Sequence, residues 1–268
     1  MGKLLYSPDK QTVENAEITT FMHFFAEKNG LDLNNYHDFH RASLTHKGQF
    51  WDNLREFYGV IGDFSGPALD VGSHMKFDQY FPEARLNYAE NLLAPFADAD
   101  DMLVFSSERQ NYRKLDAATV RNHVTALASY MRDNDICKGD RVAAVMPNMP
   151  ETVTTMLAAT SLGAVWASCS PDFGVESIID RFGQIRPKIV IICDQYRYNG
   201  KMIDLSKHIA ALQERMTEVK KFIIVPFEEE LNSEVKTTDK IASYLDIITQ
   251  NQGTQLKFTP VGFRDPLF

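Results

Sequence analysis

Residues 194–201, DQYRYNGK, have the side-chain types needed to hold a phosphorylated nucleotide. The segment follows an apolar run and contains two cations, Arg197 and Lys201, together with two tyrosines and a glycine. Cationic side chains bind phosphate through charge-assisted hydrogen bonds, and aromatic rings stack on flat groups. A polar loop between a strand and a helix would have a similar composition. The residues alone therefore leave two interpretations open, an anion-binding loop and an ordinary solvated connection.

Other patterns associated with catalysis or cofactor binding are missing from the sequence. It has no GxGxxG after an apolar run and no GxxxxGK[ST], so it predicts neither a standard dinucleotide site nor a P-loop. Ser168 and Ser170 do not belong to a GxSxG nucleophile elbow. His37 and His40 have HxxH spacing, but no cluster of carboxylates or cysteines with ligand spacing accompanies them. We therefore predict no catalytic residue and no metal ligand in this chain.

Bulk composition indicates a globular protein and argues against nucleic-acid and membrane partners. The 268 residues are 44% hydrophobic and 24% charged, and the formal net charge is -8. Nucleic-acid binding needs clustered Lys and Arg, and a membrane helix needs about 18 apolar residues in a row. Cys137, Cys169 and Cys193 form no CxxC pair, and the amino terminus does not look like a signal peptide. We expect a reducing, cytoplasmic location.

Four short apolar runs alternate with helical patterns in the second half of the chain. They occupy residues 142–146, 165–169, 189–193 and 222–225. Short buried strands joined by helices predict an α/β fold, an open and mainly parallel sheet with flanking helices. Ligands of such sheets bind beyond the carboxyl ends of the strands. The candidate binding segments are therefore the loops at residues 147–150, 170–174 and 194–201.

Weaker patterns predict the remaining elements. A hairpin is expected from residues 102–106 and 111–114, and helices at about residues 150–163, 175–185 and 203–219. Amphipathic helical spacing is shown by Val120, Val124, Leu127 and Met131, and by Ile241, Tyr244, Leu245 and Ile248. The three glutamates at 228–230 predict a solvated loop. Residues 1–95 predict a mostly helical and irregular amino-terminal arm, rich in aromatic side chains.

Several segments resemble the adenylate-forming, acyl-CoA synthetase family. In the arm these are residues 51–60, WDNLREFYGV, and 80–93, YFPEARLNYAENLL. In the α/β region they are 139–148, GDRVAAVMPN, with 162–168, LGAVWAS, and 170–174, SPDFG. The SPDFG loop and the YNGK of residues 198–201 are more similar to the acetoacetate-specific branch than to the acetate branch. The resemblance covers nearly the whole chain, and the order of the motifs makes it specific.

The resemblance implies an arm at residues 1–95 and a partial AMP-binding domain, the first α/β subdomain, at 96–268. It implies a ligase that uses ATP and Mg²⁺ to convert acetoacetate into an acyl-adenylate, from which CoA displaces AMP. It also implies that Ser170, Pro171 and Asp172 lie along CoA. Residues 198–201 would approach the CoA nucleotide; these are Tyr198, Asn199, Gly200 and Lys201. Acetate-type relatives have arginines at the positions of Tyr198 and Lys201, so only Lys201 keeps the cation.

The 268 residues also depart from the family pattern. They contain no Ser/Thr/Gly-rich phosphate loop, which the resemblance places after a segment such as 264–268, RDPLF. They also contain no acyl pocket and no catalytic lysine of the carboxy-terminal domain. We therefore predict an inactive portion of a ligase with weak, partial affinity for CoA. The alternative is a stand-alone, non-catalytic CoA- or nucleotide-binding or regulatory module. The apolar Pro-Leu-Phe ending predicts an unfinished surface and self-association.

Overall fold

The computed structural model describes residues 5–108, 112–227, 237–250 and 255–268. Contacts divide the chain into two compact units. The first is Met1–Arg85 with Gly262–Arg264, and the second is Leu86–Val261 with Asp265–Phe268. The domain boundary that the sequence places between residues 95 and 96 stays a prediction. No helix in the described ranges is long and apolar enough to cross a membrane.

The first unit is mainly helical and is built on phenylalanines. Its elements are α1 (Lys10–Glu14), α2 (Glu17–Asn29), α3 (Tyr36–Thr45), α4 (Lys47–Phe57), β1 (Leu69–Asp70), a 3₁₀ helix (Met75–Phe77) and β2 (Gln79–Tyr80). Phe21, Phe25 and Phe39 are buried and pack with Phe50 and Phe57. The Phe21 ring lies 5.6 Å from that of Phe50 and 5.2 Å from that of Phe57, so the aromatic spacing in the sequence corresponds to a helical core.

The second unit contains the α/β fold. Its strands are β3 (Asp101–Ser106), β4 (Tyr112–Asp116), β5 (Arg141–Val145), β6 (Val165–Cys169), β7 (Ile189–Cys193), β8 (Gln195–Tyr198), β9 (Lys201–Asp204), β10 (Lys221–Val225) and β11 (Ile241–Ser243). Its helices are α5 (Tyr88–Leu93), α6 (Ala117–Asp133), α7 (Pro150–Ser161), α8 (Val175–Ile185), α9 (Ser206–Arg215) and α10 (Tyr244–Gln250).

A five-stranded sheet forms the centre of this unit. The strand order is β11-β10-β7-β5-β6, and every neighbouring pair is parallel. The predicted α/β class and mainly parallel sheet are confirmed. Strand β7 is buried along its whole length, as expected for a central strand covered by helices on both faces. Two hairpins, β3-β4 and β8-β9, are antiparallel and separate from this sheet.

Capping residues fix the ends of helices α6 and α7. The Asp116 carboxylate accepts a hydrogen bond from the Thr119 amide at 2.7 Å and caps α6. Helix α6 buries the predicted stripe of Val120, Val124, Leu127 and Met131. Helix α7 begins at Pro150, whose missing amide costs nothing there, and the chain leaves it through Gly163 at φ +70°.

Three predicted elements were wrong in detail. Residues 195–204 form the β8-β9 hairpin rather than a loop running into a helix, and α9 occupies Ser206–Arg215 rather than 203–219. Ile241 begins strand β11, so the last helix starts only at Tyr244. The β3-β4 hairpin is confirmed, although Asn111 lies outside the described residues. The solvated loop predicted at 228–230 also lies outside them.

Candidate functional site

The loop after β6 is held by short internal hydrogen bonds. The Ser170 hydroxyl donates to Asp172 Oδ2 at 2.9 Å, and the Asp172 amide donates to Ser170 Oγ at 3.3 Å. Pro171 is buried, while Ser170 and Asp172 are exposed. Gly174 is the N-cap residue of α8, so the loop leads directly into that helix. The exposed side chains therefore sit on a constrained backbone at the carboxyl end of a parallel strand, where such sheets bind ligands.

The second candidate segment is the β8-β9 hairpin, which begins two residues after β7. Tyr198 pairs with Lys201 across the turn, and Asn199 and Gly200 lie between them at φ 50° and 73°. Positive φ at both central residues defines a type I′ turn, which Asn-Gly adopts most readily. The Tyr198 side chain is 62% exposed, and Lys201 is exposed as well. The turn thus presents an aromatic ring and an ammonium group to solvent.

Tyr196 connects the two segments. Its side chain is only 8% exposed and interacts with the Asp172 carboxylate of the 170–174 loop. Burial, followed by this interaction with a carboxylate, raises the pKa of Tyr196 to about 12. Tyr196 therefore remains a neutral hydroxyl donor at physiological pH. The structure thus brings the first strand of the hairpin next to the 170–174 loop through Tyr196 and Asp172.

Asp194 supports the base of the hairpin rather than facing a ligand. Its side chain is fully buried and accepts a hydrogen bond from the Phe227 amide at 2.9 Å. Its carbonyl oxygen accepts from the Leu205 amide at 2.9 Å, at the point where the hairpin ends. A buried carboxylate that accepts backbone N–H groups fixes chain direction at a strand end. Asp194 thus positions the hairpin beyond β7.

Two charged residues near these segments are not predicted by any motif in the sequence. Arg181, about two turns into α8, places its guanidinium 4.5 Å from the ring centroid of Phe173. Burial raises the pKa of Cys169 to about 11, and the positive charge of Arg181 acts to lower it. Glu108 is the second, and its carboxylate accepts hydrogen bonds from the Asn199 and Gly200 amides. Glu108 has no local sequence signal because it acts on a turn 91 residues away, whereas Arg181 lies in the helix that follows Phe173 but forms part of no known motif.

The third predicted segment, residues 147–150, leads into a different polar network. Glu151, 8% exposed, forms a two-point ion pair with Arg113 of β4 at 2.9 and 3.1 Å. The Tyr244 hydroxyl lies 3.0 Å from Thr154 Oγ1 and 3.3 Å from His123 Nδ1. Burial lowers the pKa of His123, while the nearby Glu151 charge acts to raise it. These contacts join α6, α7 and α10, which is a structural rather than a ligand-binding arrangement.

The donor set of the loop and hairpin suits a phosphorylated ligand with polar arms. Lys201 and Arg181 provide cations, Tyr198 an exposed ring, and the 199–200 turn backbone amides. Asp172 provides an acceptor, which fits an N–H or O–H group of a ligand better than a phosphate. Among the described residues there is no group of three or more His, Cys, Asp or Glu side chains that could hold a metal ion.

Comparison with known proteins gives consistent results in sequence and structure. The AMP-binding enzyme family matches residues 97–258, more than half of the chain. An acetoacetyl-coenzyme A synthetase of Rhizobium meliloti (strain 1021) is 38% identical over 264 residues, 98% of this chain and 40% of the relative. An acetoacetyl-CoA synthetase of Macaca fascicularis is 32% identical over 275 residues, 99% of this chain and 40% of the relative.

A solved structure described as acetoacetyl-CoA synthetase from Streptomyces lividans is similar with a TM-score of 0.88 and 29% sequence identity. The match covers 98% of this chain and 40% of that one. The chain therefore spans about 40% of the length of the relatives it matches. The similarity includes the helical first unit as well as the α/β unit, since nearly the whole chain is aligned.

Proposed function

The chain belongs to the AMP-binding enzyme family, and on this premise we propose that it supplies the amino-terminal part of an acetoacetate–CoA ligase. The observation that carries the proposal is the 38% identity to the Rhizobium meliloti acetoacetyl-coenzyme A synthetase, which extends over 98% of this chain. The interaction of Tyr196 with Asp172, between the hairpin that carries the YNGK turn and the SPDFG loop, supports a shared role for these two segments, which are similar to the acetoacetate branch. Identity and geometry thus support the same class of reaction.

The proposed reaction has two steps. A carboxylate oxygen of acetoacetate attacks the α-phosphorus of ATP, releasing pyrophosphate and forming acetoacetyl-adenylate. The thiol sulfur of CoA then attacks the acyl carbon, loses its proton and releases AMP, giving acetoacetyl-CoA. Mg²⁺ offsets the phosphate charge in the first step, as expected for phosphoryl chemistry. The residues of the 170–174 loop and the hairpin act on CoA, and none of them is assigned to a bond-making step.

We assign the CoA-binding role to the loop and hairpin already described. Ser170, Pro171 and Asp172 line one side, with Asp172 accepting a hydrogen bond from an N–H or O–H group of CoA. The other side is formed by Tyr198, Asn199, Gly200 and Lys201. Lys201 binds a nucleotide phosphate, and the exposed Tyr198 ring offers a stacking surface for the adenine. Tyr198 carries no charge, so this site holds phosphate less strongly than one with two arginines.

As an isolated polypeptide, the 268 residues should not form acyl-adenylate. They contain no Ser/Thr/Gly-rich loop to cradle the β- and γ-phosphates of ATP, and that charge stabilisation lowers the barrier of the first step. Pyrophosphate release with ATP and acetoacetate tests this directly. Release at roughly 1 per second, an ordinary enzymatic rate, would refute the proposal.

Calorimetry tests the retained CoA site separately. The isolated chain should bind CoA weakly, and a full-length relative measured alongside it should bind more tightly. Binding by the relative without any binding by this chain would remove the site assignment. A stand-alone binding module, the alternative function, would instead bind CoA as tightly as the full-length relative does.

Location and self-association are further parts of the proposal. Cys137, Cys169 and Cys193 are free thiols, which is the usual state in a reducing cytoplasm. Strand β6 lies at one end of the sheet, where the Trp166 amide donates to the Leu267 carbonyl at 3.0 Å. The neighbouring Phe268 is 66% exposed. We expect copies of this polypeptide to associate through this edge.

A further inference from the structure

We infer that Glu108 is an internal competitor for the phosphate that the β8-β9 hairpin binds. Its carboxylate occupies the two amide donors of the turn and has to leave before a phosphate group can take them. The identification of the physiological ligand as a phosphate of CoA rests on the proposed function. The anion site itself rests on the geometry of the turn.

The contact between Glu108 and the turn has the form of an anion site. The Asn199 amide donates to Oε1 at 2.9 Å, and the Gly200 amide donates to Oε2 at 2.8 Å. Two successive N–H groups therefore converge on the two oxygens of one anion. Backbone amides in turns form such concavities, which bind phosphate as well as carboxylate. A phosphate presents two oxygens in a similar fork, so it can accept the same two hydrogen bonds in place of the carboxylate.

The turn does not depend on Glu108 for its shape. Four residue pairs, from Gln195↔Asp204 to Tyr198↔Lys201, hold the strands of the hairpin together. Asn-Gly is the dipeptide best suited to the type I′ conformation between them. In a two-residue turn the central amides point away from the ladder, so they need an acceptor from elsewhere. Glu108 provides it from a position 91 residues away in sequence.

Glu108 is also placed so that it can move away. It follows strand β3, which ends at Ser106, and both of its hydrogen bonds to the turn are exposed to solvent. Exposed charge-assisted contacts are weak enough to exchange with a ligand. Lys201, the next residue after the turn, then attracts a phosphate to the vacated amides. The carboxylate thus reduces phosphate affinity both by occupying the donors and by its negative charge.

The expected gain in phosphate affinity depends on the fraction of molecules in which Glu108 occupies the turn. A ligand that binds only the open state loses apparent affinity in proportion to the fraction of molecules that are open. If the carboxylate occupies the turn in about two thirds to nine tenths of molecules, removing it raises apparent affinity about threefold to tenfold. A carboxylate that only stabilises the turn predicts the opposite result, because removing it would loosen the hairpin and weaken binding.

The test is a titration of the 268-residue chain followed by amide NMR at Asn199 and Gly200. The probes are inorganic pyrophosphate, CoA and pantetheine, which lacks the nucleotide phosphates. The proteins are the wild type, Glu108→Ala, the conservative Glu108→Gln and the control Glu218→Ala. Glu218 is exposed and precedes β10, at the opposite end of the strands, so its removal changes the net charge equally without touching the turn.

We expect Glu108→Ala to bind pyrophosphate about threefold to tenfold more tightly than the wild type, with Glu108→Gln between them and the Glu218 variant unchanged. The two amide resonances should move when Glu108 is removed and move back when pyrophosphate is added. Equal or weaker pyrophosphate binding by Glu108→Ala overturns the inference. If pyrophosphate follows the expected order but CoA binds no better than pantetheine, the anion site stands and the proposed CoA function fails.

Discussion

The buried Tyr196 side chain interacts with the Asp172 carboxylate, and this interaction connects the hairpin after β7 with the loop after β6. In the sheet order, β5 lies between these two strands, so their loops have to reach across it to meet. Asp172 is further oriented by the Ser170 hydroxyl at 2.9 Å. Tyr196, Asp172 and Ser170 therefore form a connected polar group between the two segments of the candidate CoA site.

Removing the Tyr196 hydroxyl should widen that site without unfolding the protein. Tyr196→Phe keeps the buried ring but deletes the hydroxyl that interacts with Asp172, and losing a polar interaction of this kind costs about 1 kcal/mol of unfolding free energy. We expect CoA affinity to fall about threefold to tenfold, because Asp172 is no longer held toward the hairpin. Calorimetry measures the affinity, and urea denaturation measures the stability.

Tyr198→Phe is the matched control, since it removes a hydroxyl from a ring that is 62% exposed. It should change stability by less than about 0.5 kcal/mol, the usual range for surface positions. If Tyr196→Phe leaves CoA affinity unchanged while lowering stability, Tyr196 is only a packing residue. That result would also remove the argument that the two segments form one site.

The same residue predicts a dependence of stability on alkaline pH. The pKa of Tyr196 is raised to about 12, above the value of about 10 for a tyrosine in an unfolded chain. Because the folded pKa is the higher one, the contribution of Tyr196 is complete below about pH 10 and is lost as the pH rises toward about 12. The stability difference between wild type and Tyr196→Phe should therefore shrink between about pH 9 and about pH 11.5. A constant difference, measured by urea denaturation, would contradict the assignment.

Lys201 is expected to be the main cationic contact for CoA in the hairpin. Lys201→Gln should lower CoA affinity about threefold to tenfold and reduce the dependence of affinity on salt, because an exposed charge pair is screened by ions. Lys220→Gln is the control, since Lys220 is exposed just before β10 and pairs with Asp135. Equal effects of the two substitutions would mean that only the net charge matters, and Lys201 would then have no specific role.

The sheet could be predicted because its signals are local. Strands β5, β6, β7 and β10 are short apolar runs, and the stripe of α6 repeats at helical spacing over one continuous segment. Strand β11 has only three residues, Ile241–Ser243, and continues directly into α10. Three residues are too few to separate strand from helix by periodicity, so its identity depends on pairing with β10.

The candidate site was predicted in part, and the missing part has a physical reason. Asn199-Gly200 flanked by Tyr196, Tyr198 and Met202 is a hairpin signal that was available in the sequence, although the polar composition suggested a loop. Glu108 and Arg181 gave no such signal. Glu108 meets the hairpin only after the chain has folded, so no spacing rule connects it with a turn 91 residues later. Arg181 is close to Phe173 in sequence, but the pair matches no binding motif.

Asn87 ties the start of the second unit to segments far along the chain. Its side chain is 1% exposed, and its Nδ2 group donates to the carbonyls of Thr160 at 3.0 Å, Ser161 at 3.1 Å and Thr259 at 2.9 Å. The Thr160 and Ser161 carbonyls lie in the last turn of α7, where they have no partner within the helix, and the Thr259 carbonyl lies in a distant segment. One amide group therefore donates to three carbonyls from two segments of the chain.

Asn87→Asp tests whether donation, rather than size, is what Asn87 contributes. Aspartate has nearly the same shape and can still accept from the Glu90 amide, as Asn87 Oδ1 does at 3.2 Å, but an ionised carboxylate cannot donate to carbonyls. It also places a charge against three oxygens in a buried position. We expect both Asn87→Asp and Asn87→Ala to lower the free energy of unfolding by about 2–4 kcal/mol, with the aspartate variant at least as unstable at neutral pH.

Asn91→Ala is the control, because Asn91 donates to the nearby Asn87 carbonyl in the same helix. A tolerated Asn87→Asp, measured by urea denaturation, would show that the three carbonyls find other donors and that Asn87 does not hold these segments together.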